Sequence, residues 1–499
     1  MVDSCDLLVI GGGINGVGAA RDAAGRGLKV ILAEKDDLAE GTSSRSGKYI
    51  HGGLRYLEYY EFRLVREALI EREVVLDAAP HLAWPLRLIL PHSPEQRPRW
   101  LIRLGLLLYD HLGGRKRIPG TKALRLDRVP EGDMVRDAYR HAFAYYDVWV
   151  DDARLVILNA VDAARRGAEI LTRTAVISAR REGGVWRAVL SGPQGQREVL
   201  ANAIFNAAGP WVEEVISNVA GVNSAKHVRL VKGSHIIMRR WWQGDHGYVL
   251  QAPDKRLIFV NPYFDDLALI GTTDIPFEDR PEDVAIDEDE SAYLLDILNR
   301  YFRVKLSHDD IISAYSGVRP LFDDDSAKGA SAVTRDYTFE LDGDQARAPI
   351  LSAFGGKLTT YRKLAEAALQ KLDPFFPQMT QPWTAHAPLP GGELPDAGFD
   401  EWFAKFRRRY AWLPPQLAHH YARTFGADAD IFLSGANSLA DLGRHFGGSF
   451  YAREAEWFIE NEWARTAEDI LTRRSKHYLF LTQEEQQALS DWLASELAA

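Results

Sequence analysis

Cysteine is nearly missing from this 499-residue chain, and the single Cys5 rules out an internal disulfide or a cysteine-built metal cluster. A reducing compartment fits that usage, and no metal site is expected. No apolar run approaches the ~20 residues that a bilayer-crossing helix needs, so no transmembrane span is expected. An excess of basic residues is also missing. The formal net charge is -10, which argues against nonspecific nucleic-acid binding as the main task. The opening MVDSCDLLVIGGG has neither a basic segment nor a cleavage-site pattern, so export is not expected. What is there is the composition of a folded protein, 46% hydrophobic and 26% charged. Its length exceeds one ordinary core, so two or three domains are expected.

The organising stretch is DLLVIGGGINGVGAARDAAGRGLKVILAE, residues 6–34, which reads as strand, glycine turn, helix, strand. Gly11, Gly13 and Gly16 have the G-x-G-x-x-G spacing: a sharp turn, room for a pyrophosphate, and close helix–strand packing. The N-terminus of the helix, at Ile14 and Asn15, would hold the phosphate. Glu34, followed by Lys35, closes the second strand where a ribose diol would lie. An acid at that position disfavours a 2′-phosphate, which leaves NAD or FAD.

Downstream, Asp151 and Asp152 open a helix that Gly167 stops, an alternating pair of runs ends in NAAGPW at 206–211, and PILSAFGGKLTTYRKLAEAALQKL at 349–372 repeats the strand, turn, helix pattern. This scatter suits an interrupted FAD domain better than a two-domain nicotinamide enzyme. The expected FAD-binding segments are 1–80, 151–211 and 346–386. Residues 81–150 and 212–345 form an insertion and a mostly β substrate domain, with a helix from about Asp287 that Glu290 helps to cap. Residues 387–499 turn charged, aromatic and helical in pattern. The fold class is α/β plus α: a Rossmann-like FAD domain, a β-rich substrate domain and a helical C-terminal domain.

With these landmarks the chain resembles the FAD-dependent, quinone-linked glycerol-3-phosphate dehydrogenases of aerobic glycerol metabolism. The likeness is carried in order by VIGGGINGVGAARDAAGRGL (9–28), KYIHGGLRYLEYYEFRLVREAL (48–69), WVDDARL (149–155), NAAGPW (206–211), KGSHI (232–236), GTTD (271–274), YSGVRPL (315–321) and FGGKLTTYRKLAE (354–366). The family's fold is a two-domain unit like that of D-amino-acid oxidases followed by a helical domain. In SSRSGK at 43–48 the family often has a further serine where this chain has Gly47. The resemblance implies oxidation of glycerol 3-phosphate, membrane quinone as acceptor, and a peripheral place on the cytoplasmic face of the cytoplasmic membrane. The oligomeric state stays open, a homodimer being one arrangement permitted.

Oxidising a secondary alcohol with a flavin requires an anchor for the substrate's charge, removal of the hydroxyl proton, and the carbinol hydrogen aimed at flavin N5. Arg55, Arg319 and Lys357 stand in glycine-bearing loops that the resemblance assigns to the phosphate, and Tyr56 adds a hydroxyl donor. His51 is the favoured proton acceptor because it shares a loop with Arg55 and Tyr56; His235 is the alternative, and Lys357 would steady the alkoxide. Thr42, Ser43, Ser46 and Lys48 are expected against the flavin, Ala208 and Gly209 on the pyrophosphate side, and Gly355, Gly356, Leu358 and Thr359 at the pyrimidine edge of the ring.

Residues 97–125 carry eight bases and one acid, Asp110, around WLIRLGLLLYDHL. Trp100, Leu101, Leu104, Leu107 and Leu108 suit burial among lipid headgroups while the bases meet anionic lipid. The plainer alternative is a helix packed on the substrate domain with a solvated basic end; the resemblance favours the membrane. Rival functions are a soluble glycerol-3-phosphate oxidase that reduces oxygen, an amine oxidase of the same fold, and a non-catalytic flavin-binding sensor.

Overall fold

A computed structural model describes residues 3–114, 117–264, 266–323, 336–394 and 398–497, apart from the side chains of residues 55, 58, 59 and 323. The strand Asp3–Ile10 lies at the centre of the first sheet, paired in parallel with Val30–Ala33 on one side and Gly195–Asn206 on the other. Leu7, Leu8 and Val9 are buried to 0% exposure, as a strand covered on both faces requires. Glu169–Leu171 extends the sheet beyond Val30–Ala33, and Arg347–Phe354 extends it beyond Gly195–Asn206. One face carries the helices Ile14–Gly25, Asp152–Arg165 and Tyr361–Leu372. Small residues let them approach: Ala19, Ala20 and Ala23 are fully buried, and a Cβ on Gly18 would stand 2.8 Å from the Tyr361 ring. The other face is covered by the meander Ala175–Glu182 and Val185–Gly192, with Trp186 in its core.

The second sheet runs in the order Ile275–Pro276, His227–Arg239, Leu267–Gly271, Leu257–Tyr263, Gly247–Gln251, Ala83–His92, His141–Val150, Tyr49–Ile50, with Ile311–Asp323 and Lys122–Arg125 paired to it laterally. The helix Glu288–Tyr301 covers one face, and its start is fixed by the Asp287–Glu290 capping box. The helices Phe62–Ala78 and Arg99–Leu112 cover the other. The chain crosses between the two sheets at points that hydrophobic pattern does not mark. Tyr49–Ile50 pairs with Val148 and Trp149 in the second sheet, whereas Thr338–Asp344 folds back on Arg347–Phe354 as a hairpin in the first.

The C-terminal helices Phe399–Arg409, Pro415–Phe425, Ala452–Asn461 and Gln483–Glu496 enclose their own aromatic core. Buried charges clamp this domain to the first. Arg473 Nε lies 2.6 Å from Asp37 Oδ2, Arg474 Nη2 lies 2.9 Å from Asp37 Oδ1, and Lys476 holds Asp151. Pairs this deep owe their value to each other, because each partner alone would be an uncompensated buried charge. Among the described residues no helix is long and apolar enough to cross a membrane.

Candidate active site

A cavity of about 1290 Å³ runs from the first glycine turn to the second sheet. That exceeds the roughly 300–1,000 Å³ of an ordinary small-molecule pocket and suits a dinucleotide with a second ligand beside it. The glycine turn fits a dinucleotide in detail. Gly11 has φ +111° and a Cβ there would meet Ala207 O at 2.7 Å, while a Cβ on Gly16 would collide with Gly11 O. Glu34 is tied at the cavity wall, its carboxylate accepting from Gly12 N at 2.6 Å and Asp36 N at 2.9 Å. Burial raises its pKa above the ordinary carboxylate range.

The remaining loops are locked to this turn. Ile14 N donates to Ser43 Oγ at 3.0 Å, and Asn15 Nδ2 donates to Gly355 O at 3.3 Å. Thr42 Oγ1 donates to Val318 O, and Lys35 Nζ lies 3.0 Å from Glu282 and 4.0 Å above the Trp211 ring. Ala208 and Gly209 line the cavity opposite, with Gly209 at φ +57°. Gly355 and Gly356 both take positive φ, and a Cβ on Gly356 would meet Asn15 Nδ2 at 2.8 Å. Leu358 and Thr359 complete that wall.

Lys48 is elsewhere. Expected against the flavin, it turns inward, 3% exposed, with Nζ 2.7 Å from Asp152 Oδ1 at the start of the helix Asp152–Arg165. A buried carboxylate at that position draws in the nearest cation. Asp152 also accepts from Ser46 Oγ at 2.7 Å, so Ser46 borders the cavity while bonding away from it. Lys48 therefore positions the loop and does not line the cavity.

His51, Tyr56, His235, Arg319 and Lys357 also line the cavity. His51 N–H donates to Thr359 Oγ1 at 3.2 Å, and Lys357 Nζ sits 4.0 Å from the centre of the Tyr56 ring. The Arg55 side chain falls outside the described residues. Arg319 is set by Asp274 Oδ1, 2.9 Å from Nη1, and by Thr272 Oγ1, 3.2 Å from Nη2. The space for it is made by Gly233, where a Cβ would come within 2.8 Å of Nη2. His235 stacks on Tyr315 with centroids 4.9 Å apart and is 2% exposed. Burial, then the charges of Arg319 and Lys48, hold its basicity well below the imidazole range.

Several wall residues escaped sequence reasoning, Phe259 and Asn261 among them. Phe259 and Asn261 alternate on the strand Leu257–Tyr263 and both reach the cavity, where Asn261 accepts from the Tyr49 hydroxyl. The signal was a polar residue inside the apolar run RLIFVNPY.

Two sheets around a dinucleotide cavity, with imidazoles and cations along its wall, define a flavoprotein oxidoreductase. Residues 6–362 match the family described as FAD dependent oxidoreductase, and residues 382–498 match the C-terminal domain of alpha-glycerophosphate oxidase. The chain belongs to the FAD-dependent oxidoreductase family, and its cofactor is FAD. It is 59% identical to D-erythritol 1-phosphate dehydrogenase of Brucella abortus, covering 98% of each chain. It is 51% identical to glycerol-3-phosphate dehydrogenase of Pseudomonas aeruginosa, over 98% of this chain and 95% of that one, and 48% identical to the aerobic enzyme of Escherichia coli, over 99% and 98%. Among solved structures, glycerol-3-phosphate dehydrogenase from Bacillus halodurans complexed with FAD superposes with a TM-score of 0.79 at 26% identity, covering 99% of this chain and 91% of that one.

Proposed function

We propose that the protein oxidises the secondary carbinol of a short polyol phosphate, sn-glycerol 3-phosphate, to dihydroxyacetone phosphate and passes the electrons to membrane quinone. The observation that carries this reading is that Arg319, Lys357 and His51 all line the cavity that the glycine turn opens. The flavin, when bound, accepts the hydride that leaves the carbinol carbon. Arg319 anchors the phosphate, since Asp274 and Thr272 orient a planar group suited to phosphate oxygens. Lys357 places a positive charge beside the developing alkoxide. His51 takes the hydroxyl proton: it is half-buried on the cavity wall, whereas His235 is sealed against Tyr315 and too weakly basic at neutral pH.

The 59% identity to a D-erythritol 1-phosphate dehydrogenase supports a second reading, in which the substrate is one carbon longer and uses the same anchor. Anaerobic addition of each phosphate while the flavin absorbance is followed tests both. Bleaching by glycerol 3-phosphate with the higher kcat/KM supports the first reading, a preference for erythritol 1-phosphate supports the second, and bleaching by neither refutes both.

The acceptor reading is supported by the helix Arg99–Leu112. Trp100, Leu104, Leu107 and Leu108 form one exposed apolar stripe, with Trp100 69% exposed. Leu106 and Tyr109 anchor the opposite side in the core, and Leu101 is half-buried. The helix packs against the turn Leu54–Tyr59, whose Leu54 and Tyr56 line the cavity, so the stripe lies beside the site. This arrangement fits a peripheral enzyme resting on an anionic lipid surface and meeting quinone there. Arg115 and Lys116 lie outside the described residues.

A further inference from the structure

Away from the cavity, the helical domain packs three side chains of metal-binding type against one another, two of them buried and His420 half-buried. His420 comes from the helix Pro415–Phe425, Glu454 from the helix Ala452–Asn461, and His477 from the turn His477–Leu479. One ligand atom from each lies within 4.8 Å of the other two. His420 Nε2 is 2.7 Å from Glu454 Oε1, and the imidazoles of His420 and His477 meet edge to face with centroids 4.8 Å apart.

Glu454 is 0% exposed and His477 3%, both beside the aromatic core that holds Phe450 and Phe458. Two of their polar atoms, Glu454 Oε2 and His477 Nδ1, are buried without a hydrogen-bond partner. Pairing Glu454 with a protonated His420 accounts for one carboxylate oxygen only. It leaves the second oxygen and Nδ1 of His477 unsatisfied in a core where natural proteins rarely leave polar atoms alone. A divalent cation satisfies all three side chains together.

We propose that His420, Glu454 and His477 form a binding site for Zn²⁺. Two imidazole nitrogens and one carboxylate oxygen are a donor set that zinc favours, with water in the fourth position. His477 is prepared for ligation through Nδ1, because its Nε2 lies 3.0 Å from Ser449 Oγ, the kind of outer partner that fixes the orientation of a ligating ring. The three ligands come from three separate segments, and His477 directly follows Arg473, Arg474 and Lys476, which grip Asp37 and Asp151 of the FAD domain. Zinc would therefore staple the clamp segment to two helices of its own domain.

The test uses untagged, full-length, FAD-loaded protein. After loading with zinc and gel filtration, elemental analysis should find about one zinc per chain. Stripping with a strong chelator should lower Tm at constant FAD content, and added zinc should restore it. Cobalt(II) bound to the stripped protein should give tetrahedral ligand-field absorption to the red of the flavin bands. Glu454→Gln and His477→Gln, which keep side-chain size, should each weaken zinc binding by about tenfold or more. Loaded parent protein without stoichiometric zinc, or both variants holding zinc as tightly as the parent, would overturn the proposal. Should the variants fail to fold, the zinc content and cobalt spectrum of the parent still decide it.

Discussion

Gly271 faces His235 across an antiparallel pair of strands, and a Cβ at Gly271 would fall on the imidazole ring. The missing side chain is what allows His235 to lie flat on Tyr315 at the cavity wall. Gly271→Ala should displace that ring and destabilise the protein by about 1–3 kcal/mol, the usual result of overpacking a filled site. Denaturant unfolding measures the loss, and an unchanged midpoint would mean that the ring has somewhere else to go.

Arg319→Lys keeps the positive charge but loses the planar group that Asp274 and Thr272 orient. Substrate binding should weaken by about 1.5–3 kcal/mol, the range for a hydrogen bond to a charged group, while the FAD content stays normal. Titration of flavin bleaching with glycerol 3-phosphate reads the change. An unaltered apparent affinity would make the arginine structural.

Glu34→Gln preserves shape but turns one acceptor oxygen into a donor, so either Gly12 N or Asp36 N faces an amide N–H. The glycine turn loses one of its two ties, and FAD should be retained less well. The ratio of flavin to protein absorbance after gel filtration checks this; full retention in the variant would separate Glu34 from cofactor binding.

Much of the first domain was legible because its chemistry is local. Gly11, Gly13, Gly16 and Glu34 sit within one strand–helix–strand unit, where spacing alone fixes geometry. The capping box at Asp287 and Glu290 was readable for the same reason. Lys48 was misplaced because its partner, Asp152, is distant in sequence and buried at a helix start, a pairing that no local pattern encodes. Phe259, Asn261 and the Gly233 opening for Arg319 depend on register between strands, which alternation restricts but does not determine. Domain crossings at Tyr49 and Thr338 were hidden likewise, since a strand's sequence does not say which sheet it joins.

The buried Lys48–Asp152 pair supplies a stability test. Removing the cation by Lys48→Met strips Asp152, at 0% exposure, of its partner and should cost about 3–5 kcal/mol, partly recovered by adding Asp152→Asn. Burial alone would lower the pKa of Lys48 and is the largest single influence, but the combined attraction of Asp152, Tyr315, Tyr263 and Asp151 outweighs it and raises the value well above that of an ordinary lysine. A raised pKa means that the contribution is complete below about pH 10.4, the unfolded value, and is lost only as pH climbs through the folded one. The deficit of the Met variant should accordingly be the same throughout the neutral range. Unfolding curves at several pH values measure it, and a deficit that vanished near neutrality would contradict the assignment.

The last prediction concerns the apolar stripe of the helix Arg99–Leu112. A long-chain quinone stays in the bilayer, and under the proposed function the enzyme meets it by resting on the membrane surface. Trp100, Leu104 and Leu107 are 69%, 54% and 54% exposed, an arrangement that water disfavours and a lipid headgroup region accepts. Arg97, Arg99 and Arg103 are exposed on or just before the same helix, and each basic residue near an anionic membrane adds about 1 kcal/mol. Salt should therefore release the protein from anionic vesicles only in part, because apolar insertion resists it. Replacing Trp100, Leu104 and Leu107 together by serine removes the stripe and leaves Leu106 and Tyr109 to hold the helix in place. Vesicle sedimentation and quinone turnover should both fall, while turnover with a soluble dye and the thermal midpoint stay near those of the parent. Undiminished vesicle binding by this variant would show that the membrane contact lies elsewhere on the molecule.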